Sequence, residues 1–562
     1  MGTVLSRARL ALRVAREFSE LSERLSRSPG LPVADPSTPY WTVPPAPIAE
    51  HGTGADARLP SYADVVVIGS GITGTCVART LLDEGPHGLK LVMLDARATC
   101  SGATARNGGH ITPPLYHDYA LLKKEFGAQA AQHIIRFRLA HLSELLQVAE
   151  EEGLLEDSQC RQVETFDVFF EQSLFDSAKE RLADYLDDLE SENNYWKVYG
   201  KSECATEIHA SKRAVGAIST RAGAVHPYRL VTGILQRLLS SYSQTFSLFT
   251  HTPCTDISAE AGQYVVKTPK GVVRTSHVVH ATNGWSSHLL EGMRRKIMPM
   301  RATMSAQLPK PTMKEVPPPY TQHTDASSDT STVIPRNPYP WFGTRSFVIY
   351  PTASWTHYDY LTQQPVPPPT VQPYPHPRAE FMYGGGVSHA YTSPARVGAG
   401  GHGEIACIND DGIDLGVRAY LGGALGAYFG REFGATAADA SKDEPEEAID
   451  KHFWTGVEGI SADGRPWVGR LPHAVTGRRL SKTGATAPVS LAAPGEWICA
   501  GYSGEGMVHG WLCANAVARM VLGSEDTNLG AGSHKDQILP EAYKFTTKRW
   551  KAAKIEERLA TK

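Results

Sequence analysis

An unbroken apolar run leads directly into a glycine-rich turn at Asp64-Val65-Val66-Val67-Ile68-Gly69-Ser70-Gly71-Ile72-Thr73-Gly74. The β-branched residues predict a strand that is buried on both faces of a parallel sheet. Residues 73–84 follow with an apolar pattern that is typical of a helix. A strand, a tight turn and a helix in this order predict the start of a βαβ unit.

The turn has the pattern GxGxxG, in which each glycine has a physical role. Gly69 permits the tight turn, Gly71 lets the backbone approach a pyrophosphate, and Gly74 lets helix and strand pack closely. The helix N-terminus offers free N–H groups and a positive dipole end to phosphates. A second predicted strand, residues 90–94, is followed by Asp95. Asp95 lies about twenty residues past the turn, the spacing of an acid that binds adenosine ribose hydroxyls. A structural glycine turn without a ligand is the alternative.

The segment after Asp95 favours FAD over NAD. Residues 96–110 are small, polar and rich in glycine. An NAD-binding domain has no evident need for such a loop after its second strand. An NAD-dependent enzyme is therefore the less favoured reading of the GxGxxG turn.

Several segments resemble the D-amino-acid oxidase-like family of FAD-dependent oxidoreductases, which includes glycine, sarcosine and γ-glutamylputrescine oxidases. Residues 101–109, which read Ser101-Gly102-Ala103-Thr104-Ala105-Arg106-Asn107-Gly108-Gly109, resemble its second flavin-binding motif, closest to the γ-glutamylputrescine oxidase branch. Residues 278–286 resemble the strand and glycine turn that return to the flavin domain. Residues 455–469 and then 499–507 resemble the strand and turn before the last helix. Glu505 stands where the family usually has a histidine.

The resemblance implies an α/β fold, with a discontinuous Rossmann-like FAD-binding domain and an α+β substrate domain built on an antiparallel sheet. The expected segments are 62–116, 200–290 and 450–530 for the FAD-binding domain, and 117–199 and 291–449 for the substrate domain. A lead-in of helix and proline-rich chain (1–61) and a C-terminal tail (531–562) complete the division. The proline-rich stretch 308–376 is expected to form irregular insertions.

The resemblance also implies FAD and the residues that hold it. No cysteine or histidine attachment position is matched, and Arg106 falls where one branch carries its histidine, so noncovalent FAD is expected. Cys254 falls where a backbone contact to adenine is expected, with an ordinary strand residue as the alternative. The expected cofactor-binding residues are Gly69, Gly71, Ile72, Thr73, Gly74, Asp95, Ala96, Arg97, Ser101, Gly102, Ala103, Thr104, Arg106, Asn107, Gly108, Gly109, Cys254, Ala281, Asn283, Gly284, Gly504, Glu505, Gly506 and Met507.

The catalytic side chains are less marked than the cofactor motifs. The turn 501–507 is expected to direct N–H groups towards the pyrimidine edge of the flavin, which becomes negative on reduction. The side chain of Glu505 is expected to point away from the ring or to accept from the turn's own N–H groups. Candidate active-site residues are His226, Arg301 and Arg345, the arginines as grips for a substrate carboxylate. For all three, a structural role is the alternative.

Composition narrows the function classes. The chain has 562 residues, 41% apolar and 20% charged, with a formal net charge of −3, so a nucleic-acid partner is not indicated. Its eight cysteines are scattered singly, which predicts neither a zinc site nor a dithiol centre, and no metal-ligand spacing occurs. No membrane span or secretory signal is predicted, which favours the cytoplasm. An arginine-rich N-terminal helix and the opening Met1-Gly2 keep a mitochondrial presequence and N-myristoylation as alternatives.

These observations predict an FAD-dependent oxidoreductase that oxidises a C–N bond of an amine or amino acid by hydride transfer to the flavin. Oxygen or another acceptor then takes the electrons. The alternative is an FAD-binding regulatory or trafficking protein of the same fold with little or no turnover.

Overall fold

A computed structural model describes residues 16, 19–54, 57–307, 343–365, 379–390, 404–429, 451–481, 491–524 and 537–560. The strands are β1 (Tyr62–Ile68), β2 (Leu91–Leu94), β3 (His110–Ile111), β4 (Arg161–Phe169), β5 (Lys197–Gly200), β6 (Gly216–Ala224), β7 (Phe246–Phe249), β8 (Asp256–Glu260), β9 (Gln263–Thr268), β10 (Gly271–His280), β11 (Ile297–Gln307), β12 (Arg345–Tyr350), β13 (Asp359–Gln363), β14 (Phe381–Gly384), β15 (Lys451–Ser461), β16 (Trp467–Arg470) and β17 (Gly495–Ala500). The helices are α1 (Ile72–Glu84), α2 (Tyr116–Phe126), α3 (Ala128–Glu151), α4 (Leu155–Ser158), α5 (Gln172–Asp188), α6 (Lys201–Thr206), α7 (Pro227–Ser241), α8 (Ser286–Leu289), α9 (Leu415–Phe429), α10 (His473–Thr476), α11 (Gly510–Val521), α12 (Thr547–Ala552) and α13 (Ile555–Ala560).

The first sheet contains the predicted nucleotide-binding unit. Its strand order is β16-β17-β10-β1-β2-β7, and all neighbours are parallel except β16 and β17. Strand β1 is central, with Val65 opposite His277 of β10 and Leu91 of β2. Its residues from Ala63 to Ile68 are all buried, as the β-branched run predicts. The hairpin β8–β9 extends the sheet antiparallel from β10.

Two helices cover the sheet beside the glycine turn. The first, α1, packs against α11, where the Cys76 thiol donates to the Trp511 carbonyl oxygen at 3.1 Å. The approach is close at Gly510, because a Cβ there would lie 3.3 Å from Ile72. The start of α1 and the start of α11 are thus held side by side at one edge of the sheet.

The second sheet faces this edge. Its order is β15-β11-β14-β13-β12-β4-β6-β3, with β5 paired to β6. All of its pairs are antiparallel except β12 with β4. A parallel-cored α/β domain joined to a largely antiparallel sheet confirms the predicted fold class.

The sheets divide the chain differently from the expected segments. Strands β6 and β15 belong to the second sheet, although residues 200–290 and 450–530 were assigned to the FAD-binding domain. No motif marks 216–224, so the crossing into the second sheet left no signal in the sequence. The expectation of irregular chain over 308–376 is wrong between 345 and 363, where β12 and β13 form an antiparallel pair. The parts of that stretch at 308–342 and 366–376 lie outside the described residues.

The lead-in packs on the body of the protein. Residues 19–26 are helical, and Leu25 is 6% exposed in a cluster with Leu290 and Met293. Further along, Trp41 is 1% exposed. Residues 1–15 and 17–18 of the predicted N-terminal helix lie outside the described part of the chain. Among the helices that the structure describes, none combines the length and apolar character needed to cross a bilayer.

Candidate functional site

A cavity of about 720 Å³ lies between the two sheets. Its wall includes the glycine turn at the carboxyl end of β1, residues 101–104 and 106–108, and the turn that precedes α11. The opposite wall includes side chains of α2, β12 and β13. We call the region around the glycine turn the phosphate end, and the region beside the second sheet the substrate end. One continuous space therefore joins a nucleotide-binding turn to a second domain.

The glycines of the turn have no room for side chains. Gly69 has φ +107°, and a Cβ there would lie 2.7 Å from the carbonyl oxygen of Ala281. A Cβ on Gly74 would lie 1.9 Å from the Gly69 carbonyl oxygen, which confirms the close approach of helix and strand. A Cβ on Gly71 would meet the Thr104 hydroxyl at 2.9 Å. The lack of side chains at Gly69 and Gly71 thus leaves the backbone of the turn open to the cavity. We call this open backbone the glycine cradle.

Asp95 closes the cradle at the end of β2. Its carboxylate accepts from the Ser70 backbone N–H at 3.0 Å and from the Ser70 hydroxyl. It also accepts from the Arg97 backbone N–H at 3.0 Å. These bonds hold Asp95 against the turn, on the wall of the cavity.

The second motif is tied to the first by a hydrogen bond at the start of α1. The Ile72 N–H donates to the Thr104 hydroxyl at 3.0 Å. Asn107 braces the same loop, because its amide donates to the carbonyl oxygen of Thr104 at 3.0 Å. The Asn107 carbonyl oxygen accepts from the indole of Trp41 at 2.7 Å, so the lead-in buttresses this motif.

Two buried arginines share one carboxylate behind the phosphate end. The Arg97 guanidinium lies 2.9 and 3.1 Å from the two oxygens of Asp410, and Arg106 Nε lies 3.5 Å from it. Asp410 is fully buried. Burial lowers the pKa of Arg106 to about 10. Its guanidinium donates to the carbonyl oxygens of Ser37 and Thr455 at 2.8 and 2.7 Å. Arg106 therefore connects residues 101–109 both to the lead-in and to β15 of the second sheet.

The return strand and the last turn meet at Asn283. Its side-chain oxygen accepts from the Gly501 N–H at 2.9 Å. A Cβ on the next residue, Gly284, would lie 2.8 Å from the Glu458 carbonyl oxygen. The last turn continues through a single 3-10 turn, Gly506–Val508, into α11.

Glu505 lies in this turn, on the wall of the cavity. Its Oε2 is 4.0 Å from Arg138 Nη2 and 3.6 Å from His509 Nδ1. Burial raises the pKa of Glu505 to about 7, although a third of the side chain remains open to the cavity. Within the fully described turn 501–507, no N–H donates to this carboxylate, so that alternative for its orientation is not found.

The substrate end is lined by aromatic rings that the sequence did not single out. Tyr350, Trp355, Tyr358 and Tyr360 form what we call the aromatic pocket. Neighbouring ring centroids lie 5.4 Å apart for Tyr350 and Trp355, 6.2 Å for Tyr350 and Tyr358, and 6.5 Å for Tyr358 and Tyr360. The ring planes meet at 72°, 51° and 49°, so the rings form a corner and are not stacked.

A buried carboxylate, Asp167 of β4, lies beside this corner. It is 5% exposed and accepts from the Tyr116 hydroxyl at 2.6 Å. His117 Nε2 lies 3.0 Å from the same oxygen. The His117 ring stacks on Tyr116, with centroids 4.1 Å apart. Asp167 and His117 line the cavity, whereas Tyr116 lies behind its wall.

The whole arrangement can be compared with known proteins. Residues 64–520 match the family described as FAD dependent oxidoreductase. The chain belongs to this family. The predicted resemblance and the predicted FAD cofactor are thereby confirmed.

The relatives of this flavoprotein are distant. A probable oxidoreductase of Haemophilus influenzae is 23% identical over 258 residues, or 44% of this chain and 56% of the relative. The γ-glutamylputrescine oxidoreductase of Escherichia coli is 24% identical over 236 residues, or 41% of this chain and 50% of the relative. The chain thus spans about half the length of the curated relatives it matches.

Solved structures agree on the fold. Glycine oxidase from Geobacillus kaustophilus has a TM-score of 0.56 at 13% identity, over 87% of this chain and 99% of that chain. An L-amino acid deaminase from Proteus myxofaciens has a TM-score of 0.54 at 14% identity, over 91% and 97%. At such identities the likeness concerns the fold alone.

Most of the expected cofactor residues of this flavoprotein line the cavity. The exceptions are Gly74, Gly109 and Gly284, which pack behind the wall. Gly109 has φ +74°, and a Cβ there would lie 2.3 Å from the Val225 carbonyl oxygen. Cys254 is 4% exposed and lines the cavity beside the turn. The residues present therefore fit FAD, with glycines where the backbone must approach and arginines behind the phosphate end.

The expected active-site histidine is placed elsewhere. His226 lies outside the cavity wall, at the N-terminus of α7, where its Nδ1 accepts from the Arg229 N–H at 3.3 Å. It packs edge-on against Trp41, with centroids 4.5 Å apart. Burial lowers the pKa of His226 well below its usual value. This corrects the expectation in favour of its alternative, a structural role as a helix cap.

The two arginine candidates are also outside the cavity wall. Arg301 forms a buried ion pair with Glu404 at 2.8 Å. Arg345 donates to the Glu207 carbonyl oxygen at 2.9 Å. Neither is placed to grip a substrate carboxylate, so both are structural in this fold.

The lead-in also contributes to the wall, which the sequence did not indicate. Gly30, Leu31 and Pro32 line the cavity. Nearby, the Ser37 hydroxyl donates to the Asp410 carbonyl oxygen at 2.8 Å and accepts from the Thr455 N–H at 2.9 Å. Proline-rich composition predicted only an extended connection here.

Proposed function

We propose that this protein oxidises a C–N bond of a small amine or amino acid, with FAD held in the cavity between the two sheets. The observation that carries the proposal is the continuity of the cavity. It joins the glycine cradle to the aromatic pocket, where a small molecule can reach the cofactor. The names of the relatives support the substrate class, since they include a γ-glutamylputrescine oxidoreductase, a glycine oxidase and an L-amino acid deaminase.

The phosphate end holds the cofactor in this proposal. The N–H groups that begin α1 would hold the pyrophosphate, and the Asp95 carboxylate would hold the adenosine ribose. The backbone at Cys254 would hold the adenine, and no covalent bond to FAD would be needed. Bound FAD supplies the chemistry of accepting a hydride equivalent from the substrate carbon.

The residues of the chain orient the substrate and manage its proton. Conversion of an amine to an imine removes two electrons with one hydride and releases one proton from nitrogen. Glu505 Oε2 is placed on the cavity wall to accept that proton, and its raised pKa of about 7 suits the transfer near neutral pH. Before each turnover the Glu505 carboxylate is ionised, and Arg138, whose Nη2 lies 4.0 Å from Oε2, stabilises that charge.

An anaerobic titration tests the proposal. The purified holoprotein is mixed with a panel of primary amines, secondary amines and amino acids, and the flavin absorbance near 450 nm is followed. We expect at least one compound to bleach the flavin completely. If none does, the proposal fails and the regulatory or trafficking alternative is favoured. Admission of air to the bleached sample then shows whether oxygen is the electron acceptor.

The cytoplasm remains our proposal for the compartment. All eight cysteines are buried and unpaired, which suits reducing surroundings. Imaging of the full chain against a chain that lacks residues 1–28 tests this. A mitochondrial signal from the full chain alone would favour the presequence instead.

A further inference from the structure

The substrate end is strongly biased in charge. Its wall includes six carboxylate side chains, those of Asp118, Glu125, Asp167, Glu458, Asp463 and Glu505. It includes three guanidinium groups, those of Arg138, Arg465 and Arg558. At the phosphate end, Arg97 and Arg106 share the buried carboxylate of Asp410, and Asp95 lines the wall. A substrate that enters the cavity therefore meets a negative region beside the second sheet.

Two of the arginines at the substrate end are already held by carboxylates. Arg138 donates through both Nη atoms to Asp118, at 2.9 Å each. Arg465 donates to Glu125 at 2.6 Å and to Asp463 at 3.0 Å. A bidentate grip on a substrate carboxylate would require these pairs to break. The wall therefore disfavours an anionic substrate group.

The aromatic pocket supplies the complementary feature. Aromatic faces are negative, and rings that meet at a corner attract an ammonium group placed between them. Trp355 already has the Arg181 guanidinium over its ring at 4.3 Å, so one of its faces is in use. Tyr358 is 46% exposed and opens onto the cavity. Tyr358 therefore offers a ring face on which a further cation can lie, whereas the Tyr350 ring is buried and stacked on Phe169, with centroids 5.1 Å apart.

Asp167 provides the counter-charge at the base of the pocket. Its Oδ2 accepts from the Tyr116 hydroxyl, and His117 bridges it to the rings of Tyr350 and Trp355, at 6.2 and 5.7 Å between centroids. The described partners of Asp167 are the Tyr116 hydroxyl and the His117 imidazole, neither of which is a permanent cation, so a cationic ligand group would further stabilise this buried carboxylate. A cationic ligand group would satisfy both the rings and the carboxylate.

We propose that the aromatic pocket and Asp167 bind an ammonium group of the substrate that is distant from the C–N bond oxidised. The substrate class is therefore an amine with a second cationic group and without an anionic group. This inference rests on the proposed function for the bond that reacts, but it concerns a different part of the molecule. It predicts selectivity within the amine panel.

The first test compares diamines, monoamines and amino acids of matched chain length. For a four-carbon chain the probes are 1,4-diaminobutane, butylamine and 4-aminobutanoate. We expect the second-order rate of anaerobic flavin reduction to be about tenfold or more higher for the diamine than for the monoamine, and lowest for the amino acid. A monoamine or amino acid that equals or exceeds the diamine overturns the inference while leaving the proposed function intact.

Variants of one exposed tyrosine sharpen the test. Tyr358→Leu removes a ring face, while Tyr358→Phe keeps it. We expect the diamine-to-monoamine rate ratio to fall by about fivefold or more in Tyr358→Leu and to be restored in Tyr358→Phe. Tyr195→Leu, at a tyrosine outside the cavity wall that is 37% exposed, is the control for general effects. A ratio that is unchanged in Tyr358→Leu contradicts the inference.

A binding measurement separates this inference from the proposed function. Tetramethylammonium, which cannot be oxidised at a C–N bond by hydride loss to give a neutral imine, is titrated into the holoprotein while the flavin spectrum is followed. We expect saturable perturbation that weakens by about fivefold or more in Tyr358→Leu and in Asp167→Asn. If no amine bleaches the flavin but this binding holds, the proposed function fails and the cation pocket stands. No saturable binding of tetramethylammonium overturns the pocket.

Discussion

The two ends of the cavity differ in how the chain builds them. The phosphate end is made by consecutive backbone from Gly69 to Gly74, where the decisive feature is the lack of side chains. The substrate end is made by side chains of β4, β12 and the loop before β13, which come together only when the second sheet forms. A binding site made of backbone is little affected when the surrounding residues are substituted, whereas a site made of side chains is altered by each substitution. Substitutions can therefore alter the substrate of a protein built in this way while its cofactor stays the same.

The most severe way to break the phosphate end is to add a side chain at Gly71. Gly71→Val places a Cβ 2.9 Å from the Thr104 hydroxyl, which accepts from the Ile72 N–H. We expect FAD affinity to fall by about a hundredfold or more, with a loss of roughly 2.7 kcal/mol of cofactor-linked stability at saturating FAD. Flavin absorbance after gel filtration and thermal unfolding with added FAD measure the two effects.

Gly423→Val is the matched control for this substitution. Gly423 is an exposed glycine of α9 with no atom within 4 Å of an added Cβ. It should retain full flavin occupancy. Full occupancy in Gly71→Val as well would show that the pyrophosphate is not held at this turn.

For the cofactor-free protein, the largest loss of stability should come from the buried ions behind the phosphate end. Asp410→Asn leaves Arg97 and Arg106 without their shared carboxylate, and removal of one partner of a buried pair costs about 3–5 kcal/mol. Urea unfolding of the cofactor-free protein measures this loss. The neighbouring exposed residue gives the control, since Asp411→Asn should change stability by less than about 0.5 kcal/mol. Equal effects of the two variants would show that the buried pairs contribute little.

The contrast between the two ends also explains what the sequence revealed. The strand at 64–68, the three glycines and Asp95 belong to one short stretch of chain, so their spacing was enough to predict a nucleotide-binding turn, although the atoms that confine its glycines include those of Thr104 and Ala281. The cofactor and the fold class followed from such motifs.

The substrate end left few local signals. Asp167 and Tyr358 carry no motif, and they meet because β12 pairs in parallel with β4. Prolines on both sides of residues 345–363 obscured the strands that carry the aromatic pocket. Asp410 was missed for the same reason, because its partners Arg97 and Arg106 lie more than three hundred residues earlier. The structural role of His226 likewise depends on a distant contact, because its ring is buried against Trp41.

A smaller effect should follow from removal of residues 1–28, because the described residues of this segment pack on the body and are not among those that line the cavity. Deletion of residues 1–28 exposes the surface covered by Leu25, which is 6% exposed and packs near Leu290. We expect a loss of about 2 kcal/mol in unfolding free energy with full FAD occupancy. Leu25→Ala in the full chain should reproduce most of that loss.

A deletion that extends through residue 45 should have a different result. It removes the bond from Trp41 to the Asn107 carbonyl oxygen and the cavity wall at 30–32. We therefore expect this longer deletion to lose FAD. If the shorter deletion already lost FAD, the N-terminal helix would belong to the cofactor site.

The smallest effect that we predict concerns the boundary between the two ends, at Glu505. Two-electron reduction makes the pyrimidine edge of the flavin more negative, so an ionised carboxylate on the cavity wall opposes reduction. Burial raises the pKa of Glu505 to about 7, so the group is ionised above that pH and neutral below it. Glu505→Gln removes the negative charge that is present at pH 8. It should therefore raise the two-electron potential by about 30 mV at that pH, which corresponds to roughly 1.4 kcal/mol. The difference should vanish near pH 6, where the native side chain is itself protonated.

Glu505 is a sensitive test because two opposing groups act on it. Arg138, 4.0 Å from Oε2, screens the carboxylate, whereas the glycines on either side bring it near the cavity. A potential measured by dye equilibration at pH 6 and pH 8, with Glu541→Gln as the exposed control, separates these influences. An increase that is equal at both pH values would mean that the carboxyl does not titrate between them. No increase at either value would mean that the side chain points away from the ring.

In that case a bulky residue at Gly506, where the nearest protein atom to an added Cβ is 3.8 Å away, should still lower the potential. Its Cβ would separate the N–H groups of the turn from the flavin, whatever the orientation of Glu505.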